Sequence, residues 1–233
     1  MARSSRLGAG MTQAEQICGW CYLPFYVVLL GLILSYLVRL LDLSVSTLTL
    51  NFAYTLINFS LTLLIFHRFL YRSLCNIPQR FWLFIQAIIL GFVFYFALNW
   101  LLGIVLLYLA PGLQNPNDGL VSIMADTSYG LTLVCTVLLA PLVEETLVRG
   151  LLFGTIARRH RILAYLISML FFAAIHTWQY ALLVPWQTLL LSALQYLPAG
   201  VALGWTYEKA GNIWAPFLVH AFINALSMGL QLF

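Results

Sequence analysis

The stretch A-P-L-V-E-E-T-L-V-R-G, residues 140–150, sets Glu144, Glu145 and Arg149 inside a run that is otherwise soluble in lipid. An ionisable side chain at membrane depth is costly and, where it occurs, marks function by default. Around it the chain is 63% hydrophobic and 8% charged over 233 residues, a balance that soluble globular domains do not have. A lipid-exposed backbone must satisfy its own hydrogen bonds, which leaves helices or a closed barrel. The apolar runs are long and continuous, without period-two alternation, so helices are expected.

Working outward, the pattern predicts an all-α polytopic bundle of seven to eight transmembrane helices in one membrane domain over residues 1–233. Long spans are expected at about 20–38, 46–69, 81–109, 128–157, 162–178, 185–207 and 213–232. A short interfacial segment near 120–124, a break near Gly103 in the third span or a break in the fourth is expected to supply an eighth. Pro141 should kink the fourth span just before the glutamates and free backbone carbonyls there. The cations sort by side. Arg3 and Arg6, then Arg68, Arg72 and Arg80, then Arg158, Arg159 and Arg161, then Lys209 fall on one face, with Arg39 alone on the other. By the positive-inside rule the N-terminus is cytoplasmic. With no cleavable signal and no long extramembrane domain expected, a prokaryotic inner membrane, or the membrane of an organelle of similar origin, is the expected location. The net charge of +4 carries topology, and no basic patch interleaved with aromatics points to nucleic acid. The expected partners are membrane lipid and a peptide or protein substrate. Cys18 and Cys21 form C-G-W-C, but no βαβ unit surrounds them, so they read as small residues at a helix entrance rather than a redox pair.

Three further polar residues stand in later spans: His176, His220 and Asn224. At 1.5 Å per residue, Glu144 lies ~21 Å along its helix from Arg158, His176 ~22 Å from Arg161 and His220 ~17 Å from Lys209. Three helices thus bring polar groups to one depth. Glu145 and Arg149 are spaced i, i+4, the right order for an ion pair, and Glu144 is turned about 100° away from Glu145. His220 and Asn224 share a face, as do Phe172 and His176. Such a set suits hydrolysis: a carboxylate and an imidazole to activate water, and His220 with Asn224 to donate to an oxyanion. The same residues also suit zinc, with Glu144, His176 and His220 as ligands and water in the open position, although the chain has no H-E-x-x-H.

E-E-x-x-x-R (Glu144, Glu145, Arg149), F-x-x-x-H (Phe172, His176) and H-x-x-x-N (His220, Asn224), in this order on separate helices, resemble the CPBP family. Its members are the CAAX-protease and bacteriocin-processing intramembrane endopeptidases, also called Abi. The resemblance implies a catalytic core at about 126–232 and peptide-bond hydrolysis in a membrane cavity. It implies Glu144 as general base with His176, and His220 with Asn224 as oxyanion stabilisers. Glu145, Arg149 and Phe172 would be supporting residues. It leaves open whether hydrolysis is metal-dependent or of a glutamate type, and whether the substrate is a prenylated C-terminal peptide, a leader peptide or a membrane-anchored protein. Val148 stands where the family often has an aromatic, which touches packing rather than chemistry. The alternative is a non-enzymatic membrane scaffold or bacteriocin-immunity factor that uses the polar cluster to fix helix packing.

Overall fold

The computed structural model describes residues 10–230. Arg3, Arg6 and the last turn expected for the final span lie outside the described residues. Those described form eight helices and no strand. They are α1 (Gln13–Leu40), α2 (Thr47–Cys75), α3 (Pro78–Leu109), α4 (Pro116–Thr127), α5 (Tyr129–Ala157), α6 (Arg161–Tyr180), α7 (Trp186–Ala210) and α8 (Trp214–Leu230). Six are long and apolar enough to cross a membrane (α1, α2, α3, α5, α6 and α7), and α8 adds 17 described residues. The short α4 is the eighth helix.

The bundle is wound around α5. Every residue from 141 to 153 is buried, the two glutamates and the arginine included. α1, α2, α6, α7 and α8 all pack on α5, whereas α3 lies outside against α7 and α8. α3 is apolar all round but buries only Phe84, Ala87, Gly91 and Leu106, so its remaining face is dressed for lipid. It runs unbroken through Gly103, so the break considered there is absent; an isolated glycine removes no hydrogen bond.

α1 begins seven residues earlier than expected, because Thr12 and Glu15 make a capping box. The Glu15 carboxylate accepts from Thr12 N at 2.7 Å, and it also accepts from Phe69 N at 2.6 Å and Arg72 at 3.1 Å, which ties the start of α1 to the end of α2. The T-x-x-E signal was present in the sequence, inside a segment that reads as polar. In α7, Tyr196 interrupts the helix between Gln195 and Leu197. Pro198 has no N–H for the carbonyl four residues back, and its ring excludes a continuous helix at that point. Gly200 then lets α7 settle on α6; a Cβ there would come within 3.0 Å of Met169 Cα.

The basic helix ends meet at one end of the bundle. Arg158 lies against Gly10, Arg161 pairs with Glu208 at 2.6 Å, and Asn212 donates to the Ser73 carbonyl.

Candidate active site

The site begins with a flaw in α5. Residues Val134–Leu139 form a π-helical turn, and Ala140 N–H reaches back five residues to the Cys135 carbonyl. The next donor in that register would be residue 141, for the carbonyl of Thr136. Residue 141 is proline and has no N–H. The orphaned Thr136 carbonyl accepts instead from Asn224 Nδ2 of α8, at 2.7 Å. The carbonyl freed by Pro141 is therefore satisfied by one of the residues singled out in the sequence. π-Turns inside α-helices mark functional sites often enough to draw attention to this one.

One turn on, Glu145 and Arg149 are fully buried and paired at 3.0 Å. The guanidinium also donates to the carbonyls of Ala199 (3.4 Å) and Gly200 (3.3 Å), just beyond the break in α7, and its carbon lies 4.4 Å from the centre of the Phe172 ring. A charge pair removed from water needs such added partners to stand. Phe172 is thus a wall for the arginine on one side, while its ring lies 4.6 Å from His176 and 5.5 Å from His220.

The two imidazoles are oriented by what their Nδ1 atoms touch. His176 Nδ1 is 2.8 Å from the Phe172 carbonyl, and His220 Nδ1 is 2.9 Å from Glu145 Oε1. Both partners are acceptors, so each Nδ1 carries the proton and donates. In the neutral rings, each Nε2 then presents a lone pair. Both lone pairs face the same atom: Glu144 Oε2 lies 3.6 Å from His176 Nε2 and 3.8 Å from His220 Nε2, and it has no hydrogen-bond partner. Three acceptors from α5, α6 and α8 converge on one spot in the wall of a cavity of about 810 Å³. Such a spot calls for a donor of protons or a cation.

Zinc would bind such lone pairs chemically. At ~2.0–2.1 Å from each ligand it would hold them on the order of 3.3 Å apart. The oxygen–nitrogen separations here are wider, and among the described residues no group of three His, Cys, Asp or Glu side chains is arranged to hold a metal ion.

Every residue identified from the sequence for this site is therefore brought to it, with Asn224 one helical turn beyond His220. Two neighbours were not anticipated. The Tyr196 ring stacks on His176, centroids 4.4 Å apart and 24° from parallel. Asn115 donates to Gln195 Oε1 at 2.7 Å and to the Tyr196 hydroxyl at 3.2 Å, tying α4 to the break in α7. Asn115 caps α4, Pro116 begins it, and Asp118, third in the helix, stands in the cavity wall. Desolvation by its surroundings pushes the Asp118 carboxyl above its ordinary value. The signals were Asn-Pro as a cap and first helical residue, and Tyr-Leu-Pro as a break inside an apolar run.

The fold and site define a membrane-embedded helical protein with a buried cluster of two carboxylates, two imidazoles and a guanidinium among its spans. Residues 126–226 match the family described as type II CAAX prenyl endopeptidase Rce1-like. UPF0177 protein YxdF of Lactococcus lactis subsp. lactis (strain IL1403) is 30% identical over 139 residues, covering 54% of this chain and 72% of that protein. The chain belongs to this Rce1-like CAAX protease family, whose members are intramembrane endopeptidases as a class. No solved structure matches it.

Proposed function

We propose that this chain hydrolyses a peptide bond of a membrane-associated substrate with water held between Glu144 and His176. The observation that carries this reading is the unpartnered Glu144 Oε2 facing two imidazole nitrogens across a cavity wall. A water there gives one hydrogen to Glu144 Oε2 and one to His176 Nε2, leaving its oxygen lone pairs for the scissile carbonyl carbon. As the C–O bond forms, the water proton passes to Glu144, and the carbonyl oxygen becomes an oxyanion. The second N–H of the Asn224 amide, and His220 when protonated at Nε2, donate to that oxyanion. Glu144 then returns the proton to the leaving nitrogen as the C–N bond breaks. Glu145 holds His220 by Nδ1, and Arg149 compensates the Glu145 charge.

The prokaryotic inner membrane, with the N-terminus cytoplasmic, is the setting this reading assumes. A prenylated C-terminus, a leader peptide and a membrane-anchored protein are its candidate substrate classes. The test compares protein termini in membranes from cells making the wild type or Glu144→Gln at matched abundance. New termini should be present with the wild type and lost with the variant, with the rate falling by about 10²–10⁴-fold on any peptide so found. Equal cleavage by a folded Glu144→Gln protein would reject the mechanism.

A further inference from the structure

The cavity occupies one half of the bundle. Its buried wall is made by Val143 and Glu144 of α5, Phe172 of α6 and His220 of α8. From there it runs to wall residues that are exposed: Ser35, Thr47, Asp118, Trp178 and Gln179. These belong to the end of α1, the start of α2, the start of α4 and the end of α6. They are the helix ends opposite those that carry Arg72, Arg80, Arg158, Arg161 and Lys209. Depth alone does not choose this direction. At 1.5 Å per residue, Glu144 stands ~21 Å along α5 from Arg158 and ~22 Å from Tyr129, at its other end.

Packing chooses it. Between Glu144 and the basic end stand Phe66 and Phe69 of α2, Leu147, Leu151 and Phe153 of α5, and Tyr207 of α7. Each is at most 2% exposed, and none of them lines the cavity. They belong to one contiguous apolar cluster, and an interior packed in this way leaves no path for water. The open half is polar instead. Asn51, Asn99, Asn117, Gln179 and Gln195, from α2, α3, α4, α6 and α7, place side-chain amides in its wall. Polar side chains among membrane spans are tolerated where they face a water-filled cavity. Hydrolysis consumes a water, and this is the half of the molecule built to admit one.

We propose that water and substrate reach Glu144 from the membrane face opposite the basic helix ends, which by the positive-inside rule is the extracytoplasmic face. What enters rests on the endopeptidase reading: the substrate is a polypeptide segment presented on the outer side of the membrane. The criterion is the side of presentation, so internal, lipid-modified and C-terminal segments qualify alike. The step that supplies such a segment is its export or insertion across the membrane, and cleavage follows it.

The test uses the full chain with its 4 cysteines replaced by alanine. Single cysteines are then placed in the cavity wall, as Asn99→Cys or Thr136→Cys, and at the basic end, as Lys209→Cys. A charged, impermeant methanethiosulfonate is applied to spheroplasts and to inverted membrane vesicles, with denatured protein as the measure of total thiol. The two cavity cysteines should react in spheroplasts and be protected in inverted vesicles, and Lys209→Cys should show the reverse. Cavity cysteines that react from the same face as Lys209→Cys, or from neither face, overturn the proposed route. Cavity cysteines that react only in inverted vesicles, with Lys209→Cys reacting only in spheroplasts, overturn the proposed side. A second readout needs no cysteine variant. Termini that depend on Glu144 should map to segments outside the cytoplasm; a cytoplasmic cut overturns the proposal and keeps the endopeptidase reading. The expected labelling with no Glu144-dependent termini ends the endopeptidase reading and leaves the route standing.

Discussion

Glu144 and Glu145 are neighbours in sequence and opposites in circumstance. Glu145 spends one oxygen on Arg149 and His220, both buried with it, and leaves its second oxygen buried without a partner, whereas the unpartnered oxygen of Glu144 lies between two imidazole nitrogens in the cavity wall. Substitutions should separate the two. Arg149→Leu leaves the Glu145 charge buried without its cation and also strips the Ala199 and Gly200 carbonyls of a donor. It should destabilise the protein by about 3–5 kcal/mol, read as thermal unfolding in detergent, and Glu145→Gln in the same chain should restore part of the loss. Glu144→Gln should leave unfolding nearly unchanged while abolishing cleavage. The wide spacing of the three acceptors makes a further prediction. Activity of the purified enzyme should survive dialysis against a strong chelator, and loss of activity that zinc restores would show that the set closes on a metal when loaded.

Among the helices, α5 decides the site. Its π-turn and Pro141 together create one bare carbonyl, and α8 is held there by Asn224. Asn224→Ala should therefore cost about 1–3 kcal/mol by leaving Thr136 unsatisfied. In a Pro141→Ala background the backbone regains an N–H for that carbonyl, so the same substitution should cost markedly less. A double-mutant cycle on unfolding measures the coupling, and additive effects would mean that Asn224 stabilises by another route. Pro198 interrupts α7 much as Pro141 perturbs α5. The break brings Tyr196 onto His176 and lets the carbonyls of Ala199 and Gly200 reach Arg149. Two prolines thus shape the polar centre from opposite sides. Pro141 was expected to matter because it sits beside the charges; Pro198 sits among apolar residues, where its consequence depends on what packs against it.

Across the molecule, one end of the bundle gathers Arg72, Arg158, Arg161 and Lys209, joined by contacts between α1, α2, α5, α6 and α7, while Arg39 stands far along α1. If that end faces the cytoplasm, a cysteine placed at Lys209 in a cysteine-free background should react with an impermeant thiol reagent only from the cytoplasmic side, and one at Leu43 only from the other; the reverse pattern would invert the orientation. The helical class, the central place of residues 140–150 and the catalytic candidates were all legible in the sequence, because lipid solubility, the 3.6-residue repeat and the rarity of charge at depth are properties of short stretches. The common depth of Glu144, His176 and His220 was legible too, since rise per residue converts position into height. Which carboxylate pairs with Arg149 and which lies between the imidazoles, the sharing of Asn224 with a bare carbonyl and the stacking of Tyr196 were decided only by tertiary structure. Each depends on the rotation and separation of helices that are far apart in the chain, and those are set by how whole faces pack rather than by any local pattern.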